Sequence, residues 1–255
     1  MKNDGQSELG VEPLQFRGLI IYASADIHSP HYLPLFKNSL KKHLDNPCLF
    51  ILAGDIVDKG KIGMAKPVFE AIKESYSKTR IVAVFGNEEY MDREDMFISE
   101  YPEVVWLRES IHYTRCSGYK ISIVGSRGSL KRPTPWQRRH IPRIEEIYRR
   151  RVAAIRELLY EARERSDIVI LVTHYAVTRA TIIGEHPAIH DQLYDPRIEK
   201  IIQETHPDIA IHGHAHKGRP RARINNTLVY NVAFPLLRNI AVINISPKKT
   251  LLDFL

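Results

Sequence analysis

Cysteine is scarce in this chain: Cys48 and Cys116 are the two among 255 residues. Two thiols exclude a disulfide framework and a four-thiolate zinc site. Cys48 opens an apolar run, the setting of a small buried thiol. Long apolar stretches are missing as well. None approaches the ~20 residues that span a bilayer, so no transmembrane segment is expected. Residues 1–15 are polar and lack the apolar core of a secretion signal. They read as a flexible segment at the start of a cytoplasmic protein. Internal repeats, low-complexity linkers and composition breaks are also absent, which leaves residues 16–255 as a single domain. With 44% hydrophobic and 26% charged residues the chain falls among ordinary globular proteins, which excludes disordered, collagen-like and coiled-coil classes.

Charge is present but unevenly placed. The formal net charge is +7. Between Arg127 and Arg165 there are twelve Lys or Arg against five Glu, so this segment carries the whole excess. A basic insertion of that kind, at about 127–165, suits an anionic partner such as a phosphate ester, a nucleic acid or a membrane surface. A solvated arginine-rich helix face would account for it equally well.

Short β-branched runs punctuate the chain: Leu19–Ala23, Leu49–Ala53, Ile81–Phe85, Ile121–Val124, Ile168–Val172, Ile209–Ile211, Leu228–Val232 and Ile240–Ile245. Continuous apolar runs of this length read as strands buried on both faces, in a sheet covered by helices. Helices are expected over Tyr32–Leu44, Met64–Tyr76, Glu89–Glu100 and Ile144–Ala162. The last of these carries apolar residues at helical spacing. The Pro- and Arg-rich stretch Lys131–Arg143 reads as an irregular loop, with Trp136 as its anchor.

The polar residues at the strand ends are more informative. The runs are succeeded by Asp26-Ile-His28, Gly54-Asp55-Ile-Val-Asp58-Lys-Gly60, Gly86-Asn87-Glu88-Glu89, His174, and His212-Gly213-His214-Ala-His216. Ligands of open α/β sheets bind beyond the carboxyl ends of strands. Imidazole and carboxylate donors without thiolates suit Zn, Mn, Fe or Ni. Seven donors exceed the needs of one tetrahedral ion, and a shared carboxylate would let two ions clamp a phosphate.

This ordered set closely resembles the calcineurin-like metallophosphoesterases, over about residues 18 to 245. The resemblance implies an α/β fold, a four-layer α-β-β-α sandwich of two mixed sheets with flanking helices. It also implies two divalent transition-metal ions at the sheet edge, Mn, Fe, Zn or Ni. Carried over by motif, Asp26, His28 and His214 would hold one ion and Asn87, His174 and His212 the other, with Asp55 bridging. His216 would then be a surface residue. A metal-bridging hydroxide would attack phosphorus, which makes the expected protein a hydrolase of phosphoric esters.

The third block departs from the family pattern, which has His where this chain has Glu88. Asp58 normally supports that His, so Asp58 and Glu88 are expected to face each other. Such a pair could keep Glu88 protonated as the donor to the leaving oxygen. Alternatively, Glu88 marks a specialised site with reduced activity. The missing His and the basic segment favour phosphodiesters, and Arg127 and Arg132 are candidates for substrate contact. His186 and His190 sit in a loop, Arg179–Asp195, that could cover the site. The competing readings are a nuclease acting on DNA or RNA and a weakly active metal-binding interaction module. Nucleotides and nucleic acids are the candidate partners.

Overall fold

The computed structural model describes residues 18–245, so the segment 1–15 expected to be flexible lies outside the described residues. Strands run over Leu19–Ser24 (β1), Leu49–Ala53 (β2), Arg80–Val84 (β3), Val105–Leu107 (β4), Ser110–Cys116 (β5) and Tyr119–Ser126 (β6). They continue with Ile168–Thr173 (β7), Ile209–His212 (β8), Arg221–Ile224 (β9), Thr227–Asn231 (β10) and Ala241–Ile245 (β11). The helices are Leu33–Leu40 (α1), Lys66–Ser75 (α2), Glu94–Glu100 (α3), Pro135–His140 (α4), Ile144–Arg165 (α5), Pro196–Thr205 (α6) and Phe234–Leu237 (α7).

The strands form two mixed sheets, ordered β11-β1-β2-β3-β4 and β5-β6-β7-β8-β10-β9. In the first, β1 to β4 are parallel and β11 pairs antiparallel with β1. In the second, β6, β7, β8 and β10 are parallel, and β5 and β9 close the edges antiparallel. Alternation along each strand sorts side chains between layers. Ile21, Ala23, Ile51 and Val82 meet Ile121, Ile123, Ile170 and Ile211 between the sheets. Tyr22, Phe50 and Leu52 face outward onto Phe36 of α1, Val68 and Ile72 of α2 and Phe97 of α3. On the far side Val169, Leu171 and Ala210 pack on Ile155 and Leu159 of α5 and on Ile198 and Ile202 of α6. The result is the expected four-layer α-β-β-α sandwich.

Several expectations need correction. The third helix begins at Glu94, not Glu89, because the Glu89 carboxylate accepts the backbone N–H groups of Asp55, Val57 and Gly86 and so holds the chain in an irregular turn. The stretch Lys131–Arg143 is not wholly irregular. Thr134 and Gln137 form a reciprocal capping box around Pro135 and start α4. Cys48 is not a lone thiol: it forms a disulfide with Cys116. The bond joins the entry of β2 in one sheet to the end of β5 in the other. No helix among the described residues is long and apolar enough to cross a membrane.

Candidate metal centre

The carboxyl ends of strands from both sheets converge. Asp26 follows β1, Asp55 follows β2, Asn87 follows β3, His174 follows β7, and His214 and His216 follow β8. The backbone turns sharply there. Asp26, His28, Asp55 and His214 have φ of 56°, 44°, 49° and 67°. Side chains other than glycine adopt this left-handed region at a cost, and such strain collects at functional sites. Gly86 makes the close approach possible, since a Cβ there would collide with the carboxylate and amide of Asp55.

Two groups of donor atoms result. Asp26, His28 and His216 form one and Asp55, His174 and His214 the other, the atoms of each lying within 4.8 Å of one another. Asp55 stands between the groups, with Oδ2 3.5 Å from His174 Nε2 and 3.9 Å from His28 Nε2. Asn87 Oδ1 lies 3.0 Å from His174 Nε2. This grouping differs from the expected one by a step along the His-x-His-x-His run. His216, not His214, joins Asp26 and His28, and His214 takes the place expected for His212. His212 itself is turned away, its ring nitrogens each 2.8 Å from Gly213 O and Thr181 Oγ1.

Hydrogen bonds behind the donors set their tautomers. The Ala53 carbonyl can only accept, so His174 Nδ1, 2.9 Å away, donates to it. Burial holds His174 well below the ordinary histidine value, so Nε2 carries a bare lone pair. That lone pair faces two oxygens, Asn87 Oδ1 and Asp55 Oδ2. Asp58 Oδ1, 3.0 Å from His28 Nδ1, orients that ring in the same manner. Burial, followed by the Glu89 and Asp26 charges, pushes the Asp55 carboxyl well above the ordinary carboxylate range. A site that gathers lone pairs and repelling carboxylates is suited to divalent cations, and the imidazole and oxygen donors match those of transition metals.

Other predicted residues fall elsewhere. Asp58 and Glu88 do not share a proton: Asp58 is engaged by His28, and Glu88 Oε2 accepts from the Lys59 N–H at 2.7 Å. Arg127 is buried and donates to the Glu89 carbonyl and the Glu94 carboxylate, yet it also lines the cavity that Asn87 and His214 line. Arg132 is exposed and donates its backbone N–H to the Asp191 carbonyl. His190 Nε2 lies 3.2 Å from Glu185 O and His186 Nδ1 accepts from the Ala188 N–H. Both histidines therefore brace their own loop, which approaches the centre through the Gln192 carbonyl, 3.4 Å from His214 Nε2. Sequence reasoning misses Glu89. Its burial is invisible in sequence, although the family's acidic residue at that position is a signal.

A two-sheet sandwich with a histidine and carboxylate centre at its converging strand ends defines a class of metal-dependent phosphoester hydrolases. The chain belongs to that class by sequence too: the calcineurin-like phosphoesterase family model matches residues 19–218, and the protein is a member of this family, a hydrolase of phosphoric esters that uses divalent metal ions. No curated protein sequence matches it. Among solved structures it is similar to the phosphopantetheinyl hydrolase of Mycobacterium tuberculosis, at 14% identity and a TM-score of 0.66, covering 91% of this chain and 97% of that one. GAP50, the anchor in the inner membrane complex of Plasmodium, is similar at 10% identity and a TM-score of 0.55, with 85% and 72% covered. A 5'-nucleotidase precursor from Thermus thermophilus is similar at 11% identity and a TM-score of 0.51, with 90% and 54% covered. At these identities the likeness is one of fold.

Proposed function

We propose that this protein is a phosphodiesterase with a dinuclear centre. Asp26, His28 and His216 would hold one ion, Asn87, His174 and His214 the second, with Asp55 between them. The observation that carries the reading is the bare His174 Nε2 facing Asn87 Oδ1 at 3.0 Å and Asp55 Oδ2 at 3.5 Å. When bound, paired divalent ions polarise phosphoryl oxygens and lower the pKa of water. The chain's own residues orient that chemistry. Asp58 positions His28, the Ala53 carbonyl positions His174, and Glu89 ties three backbone amides around Asp55. Water oxygen would bond to phosphorus, one ester P–O bond would break, and the departing alkoxide would take up, directly or through solvent, the proton that the water gives up.

The diester preference rests on Glu88. Its carboxylate lines the cavity beside Asn87 and His214, where it repels a dianionic monoester more than a monoanionic diester. The nuclease reading loses support from the basic segment. Nine of its twelve basic residues have an acidic partner within 4 Å, five of those partners lying outside the segment. The disulfide fits an oxidising compartment or the disulfide-rich cytosol of a hyperthermophile, and only the second agrees with the cytoplasmic location expected from the sequence. We also read residues 16–255 as one domain.

The deciding experiment compares bis- and mono-(p-nitrophenyl) phosphate with chelator-stripped protein restored with Mn, Ni, Zn or Fe. Metal-restored cleavage favouring the diester, lowered at least ~100-fold by Asp55→Asn, is expected. Two bound ions with no turnover of either ester would overturn the proposal.

A further inference from the structure

A cavity of about 790 Å³ opens beside the two donor groups, its lining including Asn87, Glu88 and His214. That volume lies within the range of small-ligand pockets. Trp136, Gln137 and His140 of α4 form part of the cavity wall. The buried Gln137 side chain donates to the Tyr175 hydroxyl at 3.0 Å and accepts from the Tyr148 hydroxyl at 2.9 Å. Tyr175 directly follows His174, so α4 is registered to the segment carrying a candidate ligand. The capping box completes this, since Gln137 Oε1 also accepts from the Thr134 N–H.

What α4 presents is unusual for a loop anchor. Trp136 is 53% exposed and lines the cavity with Tyr90 and His140. The three rings are near-parallel neighbours. Trp136 lies 4.7 Å from His140 at an interplanar angle of 25°, and 6.3 Å from Tyr90 at 28°. An exposed, near-parallel aromatic set is a platform for another flat ring. Deeper in the lining stand two buried guanidiniums, Arg127 and Arg151, and the Nε of each has no hydrogen-bond partner among the described residues. Arg127 is engaged through Nη2 by Glu94, and Arg151 Nε is 3.5 Å from Glu109 Oε1. Each guanidinium keeps a buried Nε–H without a hydrogen-bond partner among the described residues, which an anion in the cavity would satisfy.

We propose that this cavity is a nucleotide subsite: the base of the substrate stacks on Trp136 and a second phosphate faces Arg151. The substrate class is a phosphodiester bearing a single nucleoside phosphate. The assignment rests on the phosphodiesterase reading only for the position of the scissile ester. A planar ring and an anion on one small molecule are the chemistry the lining recognises, and the volume accommodates one such unit, not a strand.

Tryptophan emission tests binding without turnover, because the chain has two tryptophans and the other, Trp106, is half-buried, stacked on Phe85 at 4.6 Å, and does not line the cavity. In chelator-treated protein, adenosine diphosphate should quench emission saturably and at lower concentration than adenosine. Inorganic pyrophosphate should leave emission unchanged, and Trp136→Phe should abolish the quench. In metal-loaded protein, Trp136→Ala should raise the ratio of KM for thymidine 5'-(p-nitrophenyl) phosphate to KM for methyl p-nitrophenyl phosphate about tenfold. Hydrolysis of both esters with no quench and an unchanged ratio would overturn the subsite while leaving the phosphodiesterase reading intact. Saturable quenching by the nucleotide in a protein that hydrolyses neither ester would uphold the subsite and sink the phosphodiesterase reading. Quenching by adenosine as strong as by the diphosphate would overturn the role of Arg151.

Discussion

Alanine at His216 and alanine at His212 have opposite expected consequences. His216→Ala removes a donor that sits with Asp26 and His28, so metal analysis of the purified variant should show one equivalent of ion lost. His212→Ala leaves both donor groups whole and should keep two equivalents, at lower stability, because a fully buried ring and its two hydrogen bonds are lost. The difference arises where β8 ends. His212 is still paired with Asn231 in the sheet, and at Gly213 the chain passes against Ala25 and Asp26. There His214 enters the left-handed region. Three alternating histidines in a row give no hint of which one still belongs to the strand, so the order of donors is legible in the sequence but its register is not. Asp58 is a simpler case: its contact with His28 makes Asp58→Asn a loss of ~10–100-fold in metal affinity, read by competition with a chelator.

At the scale of elements, α4 is written in the sequence yet masked by its surroundings. Thr134-Pro135-Trp136-Gln137 carries the signs of a helix start, but the neighbouring proline and arginine read as a loop. The structure uses that start to hold Trp136 at the cavity. Thr134→Ala should therefore cost about 1 kcal/mol of stability in urea titration, the usual loss for a cap. No change would mean that α4 is held by Gln137 alone. The helix α5 is legible from its periodicity, except for one position: Arg151, polar in sequence, lies on the buried face with Ile144, Tyr148 and Ile155. Spacing identifies the face, and only the neighbouring Glu109 and the cavity explain a charge upon it.

For the whole molecule, the disulfide closes a loop of 68 residues between the two sheets. Loop-closure entropy for that length gives a contribution of about 4 kcal/mol, so the Cys48→Ser/Cys116→Ser double variant should unfold at lower denaturant by that margin. Acid should weaken the fold through buried histidine. Burial holds His212 down to about 4, against about 6.5 in an unfolded chain. Between those values the unfolded state binds the additional proton, so stability is complete above about pH 6.5 and declines toward pH 4. The slope reaches about 1.4 kcal/mol per pH unit. Raised carboxyls at Asp55 and Glu89 act in the opposite sense. Comparing the pH slopes of chelator-treated wild type and His212→Gln separates the histidine from them, and equal slopes would contradict its buried neutral state.

The sequence by itself determined the buried strands and the chemistry of the centre, and the resemblance its motif order carries implied the sandwich. Buried strands must be apolar and continuous, and metal donors must be histidine, aspartate or asparagine, so both leave marks in composition and order. Tertiary structure alone decided which histidine meets which carboxylate, that Asp58 serves His28 while Glu88 faces the cavity, that Arg127 is enclosed, and that two distant cysteines touch. Each of those outcomes depends on where one strand stops and what another layer places opposite it, and contacts between residues far apart in the chain have no local signature.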